Sequence, residues 1–126
     1  MKNIILFLSL MLALAACTKD KPSLAGKYAG TFRSSSPTSN SAPSNVTLNL
    51  TKDGYSGSSD ASYPVICTGT WKQGGSTLHF EAGCNFLVPV PYLINGDYSY
   101  TLEGTRLRFS ATRGDYTEIY DLKRVD

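Results

Sequence analysis

The chain is poor in the residues that most catalytic and metal chemistry needs. It carries one histidine, one tryptophan, two methionines and three cysteines in 126 residues, and only 17% of its side chains are charged. A single histidine, His79, with no cysteine or acidic cluster beside it, excludes the usual zinc donor sets. It cannot serve a Ser/His/Asp set either, because the hairpin that carries it supplies neither a nucleophile nor an orienting acid. The ten acidic residues are scattered singly, so no carboxylate pair for acid–base work stands out. No glycine-rich phosphate loop occurs. Charge of one sign is missing too: twelve basic residues against ten acidic ones leave a formal net charge of +2. That balance does not steer the chain to nucleic acid. Catalysis is therefore not expected, no metal or cofactor is implied, and nucleic acid is not an expected partner.

Long apolar runs are scarce as well. The one candidate, Ile4 to Ala16 (IILFLSLMLALAA), is broken only by Ser9. It is too short to cross a bilayer as a helix, which takes roughly 20 residues. Behind Lys2, a lone positive charge, it has the size of a signal-peptide hydrophobic region. The run ends Leu14-Ala15-Ala16-Cys17, which resembles the bacterial lipobox, an aliphatic and two small residues before an obligatory cysteine. The resemblance implies cleavage before Cys17 and lipidation of its sulfur, including palmitate. The expected organisation is a signal peptide over 1–16, a lipidated tether over 17–23 and one domain over 24–126. Two or three acyl chains hold a protein on a membrane without spanning it, so the expected site is the cell envelope. Thr18 lacks the aspartate of an inner-membrane retention signal, which points to the outer membrane. Thr18-Lys19-Asp20-Lys21 resembles, short of its second acidic residue, the charged tag of surface lipoproteins. Periplasmic and surface-facing orientations both stay open.

With Cys17 acylated, Cys67 and Cys84 form an even pair in an oxidising compartment, where a disulfide is the default state. The pattern between them supports it. A type II′ turn placed at Gly75-Ser76, glycine first, sets Trp71 opposite Phe80, Gln73 opposite Leu78, Gly69 opposite Ala82, and Cys67 opposite Cys84. Thr68, Thr70, Lys72, Thr77, His79 and Glu81 then all face outward. Directly opposed strand residues lie within disulfide reach.

The rest of the chain shows no helical period. Leu24 to Phe32, Val46 to Leu50, Tyr98 to Leu102, Leu107 to Ala111 and Tyr116 to Val125 alternate apolar and polar residues, the mark of half-buried strands. Lys52-Asp53-Gly54 reads as a hairpin with positive-φ residues, followed by a weaker strand with Tyr55, Gly57, Ser59 and Ala61 inward. Ser34 to Asn45 (SSSPTSNSAPSN) has no apolar period and reads as a long mobile loop, of a length that often serves binding. Phe86 to Ile94 (FLVPVPYLI) is apolar, but Pro89 and Pro91 deny ladder hydrogen bonds, so it is an irregular edge or a loop.

Short strands linked by hairpins predict an all-β, up-and-down antiparallel barrel of about eight strands. The layout resembles small lipocalin-like bacterial lipoproteins. Gly26-Lys27-Tyr28, Leu48 and Leu50, Asp53-Gly54-Tyr55, Gly69-Thr70-Trp71, Leu107 and Phe109, and Tyr120 to Arg124 carry that likeness. Tyrosine replaces the family's first-strand tryptophan. The resemblance implies that Arg124 closes the barrel base against Tyr28. Seventeen large side chains, from Leu24 to Leu122, fall on the inward face and should fill most of the lumen. Gly26, Gly30, Gly57 and Gly69 leave room for a shallow pocket. The expected function is a non-catalytic binding module for a small apolar ligand, with Phe86, Val88, Tyr92 and the Ser34–Asn45 loop as its rim. The alternative is a protein-binding envelope module, such as an inhibitor of a lysozyme-type hydrolase.

Overall fold

The computed structural model describes residues 23–87 and 90–125. They form eight strands: β1 (Gly26–Ser35), β2 (Ser44–Leu50), β3 (Tyr55–Ser59), β4 (Gly69–Gln73), β5 (Thr77–Ala82), β6 (Gly96–Glu103), β7 (Arg106–Arg113) and β8 (Tyr116–Arg124). Each pairs antiparallel with the next, and β8 returns to β1, closing the barrel. Among the described residues, closure leaves unpaired edge only along the β3–β4 seam, and so limits recruitment of another chain. The expected all-β, up-and-down architecture is what the chain adopts.

Alternation explains each strand. Residues of even number on β1, β2 and β8 point inward, and Tyr28, Phe32, Val46, Leu48, Leu50, Tyr120 and Leu122 are all buried. At about 1.5–3 kcal/mol for a fully buried large side chain, this face drives folding. Fourteen of the seventeen expected core residues are buried; Trp71, Tyr100 and Leu102 are half-buried, and Ile94 joins the core. The rings make a continuous stack: Phe109 lies parallel on Tyr120 at 4.5 Å, and Phe80 stands against Tyr55, Tyr98 and Phe109.

The β4–β5 register is the expected one, with Trp71 opposite Phe80 and Gln73 opposite Leu78. Gly83 N–H donates to Thr68 O at 2.9 Å, carrying the pairing outward to a Cys67–Cys84 disulfide with Cα atoms 5.9 Å apart. The turn type differs, because Gly75 does not take the positive φ that type II′ requires. The neighbouring strand shapes it instead: Tyr100 N–H donates to Ser76 O and the Tyr100 hydroxyl to Gly75 O. At the β2–β3 turn none of Lys52, Asp53 and Gly54 takes a positive φ. Thr51 closes that turn, its N–H and its hydroxyl both donating to Gly54 O.

Three further expectations are corrected. The serine-rich stretch is not a long mobile loop: β1 runs to Ser35, β2 begins at Ser44, and 36–43 fold back on themselves. Ser41 N–H donates to Ser34 O, Ser34 N–H to Ser41 Oγ, and Ser35 Oγ to Asn40 Oδ1. Short polar side chains that bond nearby backbone replace apolar patterning as the ordering force. β3 ends at Ser59, and Tyr55 is the one buried residue among the four expected inward. The four glycines do not share one pocket: Gly30 and Gly57 edge separate surface grooves, and Gly26 and Gly69 line neither. A Cβ at Gly30 would meet Asp121 O at 2.1 Å, one at Gly69 would meet Glu81 O at 2.0 Å, and Ile66 and Arg124 lie over Gly57 and Gly26.

β3 and β4 share a single paired position, Tyr55 with Gly69. The two long connections fill the resulting gap. Val65 N–H donates to Tyr92 O and Ile94 N–H to Val65 O, a short parallel bridge, and Ile94 is fully buried. The described residues of the Phe86–Ile94 segment form no strand, as Pro91 requires, and are fastened to the wall at Leu93.

Candidate functional site

The two ends of the barrel differ. At the base, β1 starts and β8 ends, and the Arg124 guanidinium lies over the Tyr28 ring with its centre 5.4 Å from the ring centroid. The same group donates to the Tyr28 hydroxyl at 3.0 Å, to Ala25 O and to Ser23 O. Tyr28 in turn donates to Leu24 O at 2.8 Å. The base is sealed by the contact that the lipocalin resemblance implies.

The other end, the mouth, carries a cleft of about 360 Å³ lined by Phe32, Ser34, Ser41, Ala42, Ser44, Ala61, Ser62, Tyr63 and Tyr92. Three elements build it. β1 ends there with Phe32 and Ser34 inward. The folded serine-rich connection adds Ser41 and Ala42. Tyr92 comes from the β5–β6 loop with φ 58°, a left-handed conformation uncommon outside glycine, which turns its ring across the opening. That ring stands edge-on to Phe32 at 5.9 Å, to Tyr63 at 5.2 Å and to Tyr116 at 5.2 Å. Ser44 Oγ and Ser59 Oγ both donate to Tyr63 O, which holds the opposite wall.

Next to the cleft, the barrel interior becomes polar. Glu118 pairs with Ser34 across β8 and β1, and its side chain is 1% exposed. Its Oε2 accepts from Arg113 Nε at 2.7 Å. Arg113 also donates to Asn95 O and lies over the Tyr98 ring. Burial raises the Glu118 carboxyl above its ordinary value, against the pull of Arg113. Burial likewise pushes the Tyr98 hydroxyl up to about 12, with Glu118 adding to it. The Tyr120 hydroxyl is raised for the same first reason.

Of the expected rim, Tyr92 and the serine-rich segment do meet at the cleft. Phe86 does not line it: it is 48% exposed, beside a fully exposed Leu87. The disulfide anchors that part of the loop at Cys84 to Cys67. Val88 and Cys17, the expected lipidation residue, lie outside the described residues. Sequence reading missed Glu118 and Arg113. Both stand on inward positions of strands whose parity was legible, so a polar residue in an apolar series was the available signal.

His79 also differs from expectation. It faces outward beside Glu81 as expected, with Nε2 3.7 Å from Glu81 Oε1. But an orienting acid is present after all: Asp97 Oδ1 lies 2.7 Å from His79 Nδ1. Cross-strand pairing of β5 with β6 sets the two residues opposite each other, which reasoning within one hairpin does not reach. The other nitrogen faces a carboxylate rather than a hydroxyl or thiol. The Asp97 hydrogen bond raises the imidazole above its usual range. On the β7–β8 face Asp121 bridges Arg106 at 2.7 Å and Arg108 at 3.8 Å, so the charges on that face are of mixed sign.

Among the described residues, no group of three or more histidine, cysteine or acidic side chains is arranged to hold a metal ion. Compared with known proteins, the chain matches no family model, no curated protein and no solved structure.

Proposed function

We propose that this chain is a lipid-anchored, non-catalytic binding module of the bacterial cell envelope that holds a small, mainly apolar ligand at the barrel mouth. The cleft between Phe32, Tyr63 and Tyr92 carries the reading. Its volume, about 360 Å³, falls in the range of small-molecule sites, which combine apolar walls with a few fixed polar groups. Here the serines at positions 34, 41 and 44 are those groups. The anchor rests on the Leu14–Cys17 lipobox. Ser23 lies at the base, held by Arg124, which supports a tether that enters the domain at the end opposite the mouth.

Native mass spectrometry of protein purified from its own host is the test. A bound small molecule, displaced by an apolar dye and lost in Tyr92→Ala, is the expected result. A clean apo mass with no dye binding overturns the reading. Cys17→Ser should abolish labelling by radioactive palmitate, and label that persists overturns the anchor.

A second reading, an interface for another envelope protein, draws on the exposed Phe86 and Leu87 beside the disulfide. Exposed apolar residues grouped on one loop can mark a partner surface. Leu87→Asp should then release a partner captured from envelope extract, and an unchanged pull-down removes this reading.

A further inference from the structure

Two buried polar atoms on the strand beside the cleft lack a hydrogen bond of ordinary geometry, although the Tyr98 hydroxyl also acts on the Glu118 carboxyl. They are Glu118 Oε1 and the Tyr120 hydroxyl, and both residues are 1% exposed or less. Buried polar atoms are almost always satisfied, and each exception calls for a physical reason. Both residues stand on β8, paired with the strand that forms the cleft wall. Glu118 pairs with Ser34 and Tyr120 with Phe32 across the β8–β1 ladder, and Ser34 and Phe32 line the cleft. The Phe32 and Tyr120 rings are 4.8 Å apart.

Resting on the mouth-binding reading, we infer that Glu118 Oε1 and the Tyr120 hydroxyl select a neutral ligand whose apolar body ends in a hydroxyl or amide N–H. Charge decides against the alternatives. Glu118 already has a cation, Arg113, at 2.7 Å, so the pair is neutral. An ammonium group added there would be a buried charge without a counter-ion, which is strongly unfavourable. A carboxylate would face the lone pairs of Oε1. A neutral O–H or N–H can donate to Oε1, and a neutral oxygen can accept from the Tyr120 hydroxyl, without adding a charge. Tyr92 is the group that must turn aside for the ligand to reach them. It enters from a loop, and its ring is held by edge contacts to Phe32, Tyr63 and Tyr116.

The test is a titration of the lipidated protein in nanodiscs, followed by the ring-proton NMR signals of Tyr92 and Phe32, with empty nanodiscs as the partition blank. The probes share one body and differ at the end: phenethyl alcohol, phenethylamine, hydrocinnamate and propylbenzene. The alcohol should bind at least about tenfold tighter than propylbenzene, the worth of one well-placed buried hydrogen bond. Glu118→Gln and Tyr120→Phe should each shrink that preference while propylbenzene keeps its affinity. Tyr120→Phe removes one oxygen from a buried ring and keeps the test alive if the Gln variant does not fold. Equal binding of alcohol and propylbenzene means that a resident water satisfies the two atoms, and it overturns this inference alone. Tightest binding by the amine or the carboxylate overturns the neutral head group. No shift at Tyr92 or Phe32 with any probe overturns the mouth site itself.

Discussion

Replacing both Cys67 and Cys84 by serine should cost about 3 kcal/mol, because the bridge closes a short loop of known size. The two cysteines are separated by 17 positions. The chain-entropy relation for a loop of that length gives about 3 kcal/mol at 25 °C. For a domain of this size that is a fall in Tm on the order of 10–20 °C. The loss should also be uneven. The disulfide joins the two connections that fill the gap where β3 and β4 share one paired position. Without it, the Val65–Tyr92 and Ile94–Val65 hydrogen bonds hold that gap with less help, so their amides should exchange faster than those of β7 and β8. Thermal and urea unfolding followed by circular dichroism, with hydrogen exchange on the same samples, measures both effects. A loss below about 1 kcal/mol would refute the entropic account. So would uniform exchange across the barrel, which would show that the long connections do not depend on the bridge.

Other predictions rest on single contacts. Gly30→Ala places a methyl 2.1 Å from Asp121 O, where β1 and β8 close the barrel. It should destabilise by about 3 kcal/mol or more, and an unchanged unfolding midpoint would deny that close approach. Glu118 has a folded-state pKa raised by burial, so the folded state holds its proton to higher pH than the unfolded chain does. Stability should fall as pH rises from the ordinary carboxyl value through the folded one, and Glu118→Gln should flatten that stretch of the curve; identical curves would sink the assignment. His79 is raised mainly by its hydrogen bond to Asp97. Its stabilising contribution is present below the unfolded value of 6.5 and disappears as pH climbs through the folded one. Asp97→Asn should shift the imidazole NMR titration downward, whereas an unmoved midpoint would leave Glu81 as its partner.

Strand parity, turn residues and cysteine spacing were enough to read a closed eight-strand barrel, the β4–β5 register and the disulfide from the chain. Each is a local property: period-two alternation picks the inward face, and one register brings Cys67 opposite Cys84. What stayed hidden involved neighbours distant in sequence. Tyr100 overrides the turn preference at Gly75, and Asp97 reaches His79 from the next strand. Serine–backbone bonds order the stretch after Ser35 that lacks any apolar period.

The mouth was half legible. Tyr92 stood in an apolar segment that prolines keep out of the sheet, and the serine-rich stretch was marked as its rim. Phe86 was placed there too, but it stands exposed next to the Cys67–Cys84 bridge and does not line the cleft. Sequence by itself determined which faces of the strands avoid water, because burial follows alternation residue by residue. Only the tertiary structure decided that Glu118 and Tyr120, paired with Ser34 and Phe32 across the β8–β1 ladder, carry atoms without a hydrogen bond of ordinary geometry. Whether a polar atom finds a partner depends on what three neighbouring strands and a loop bring to it.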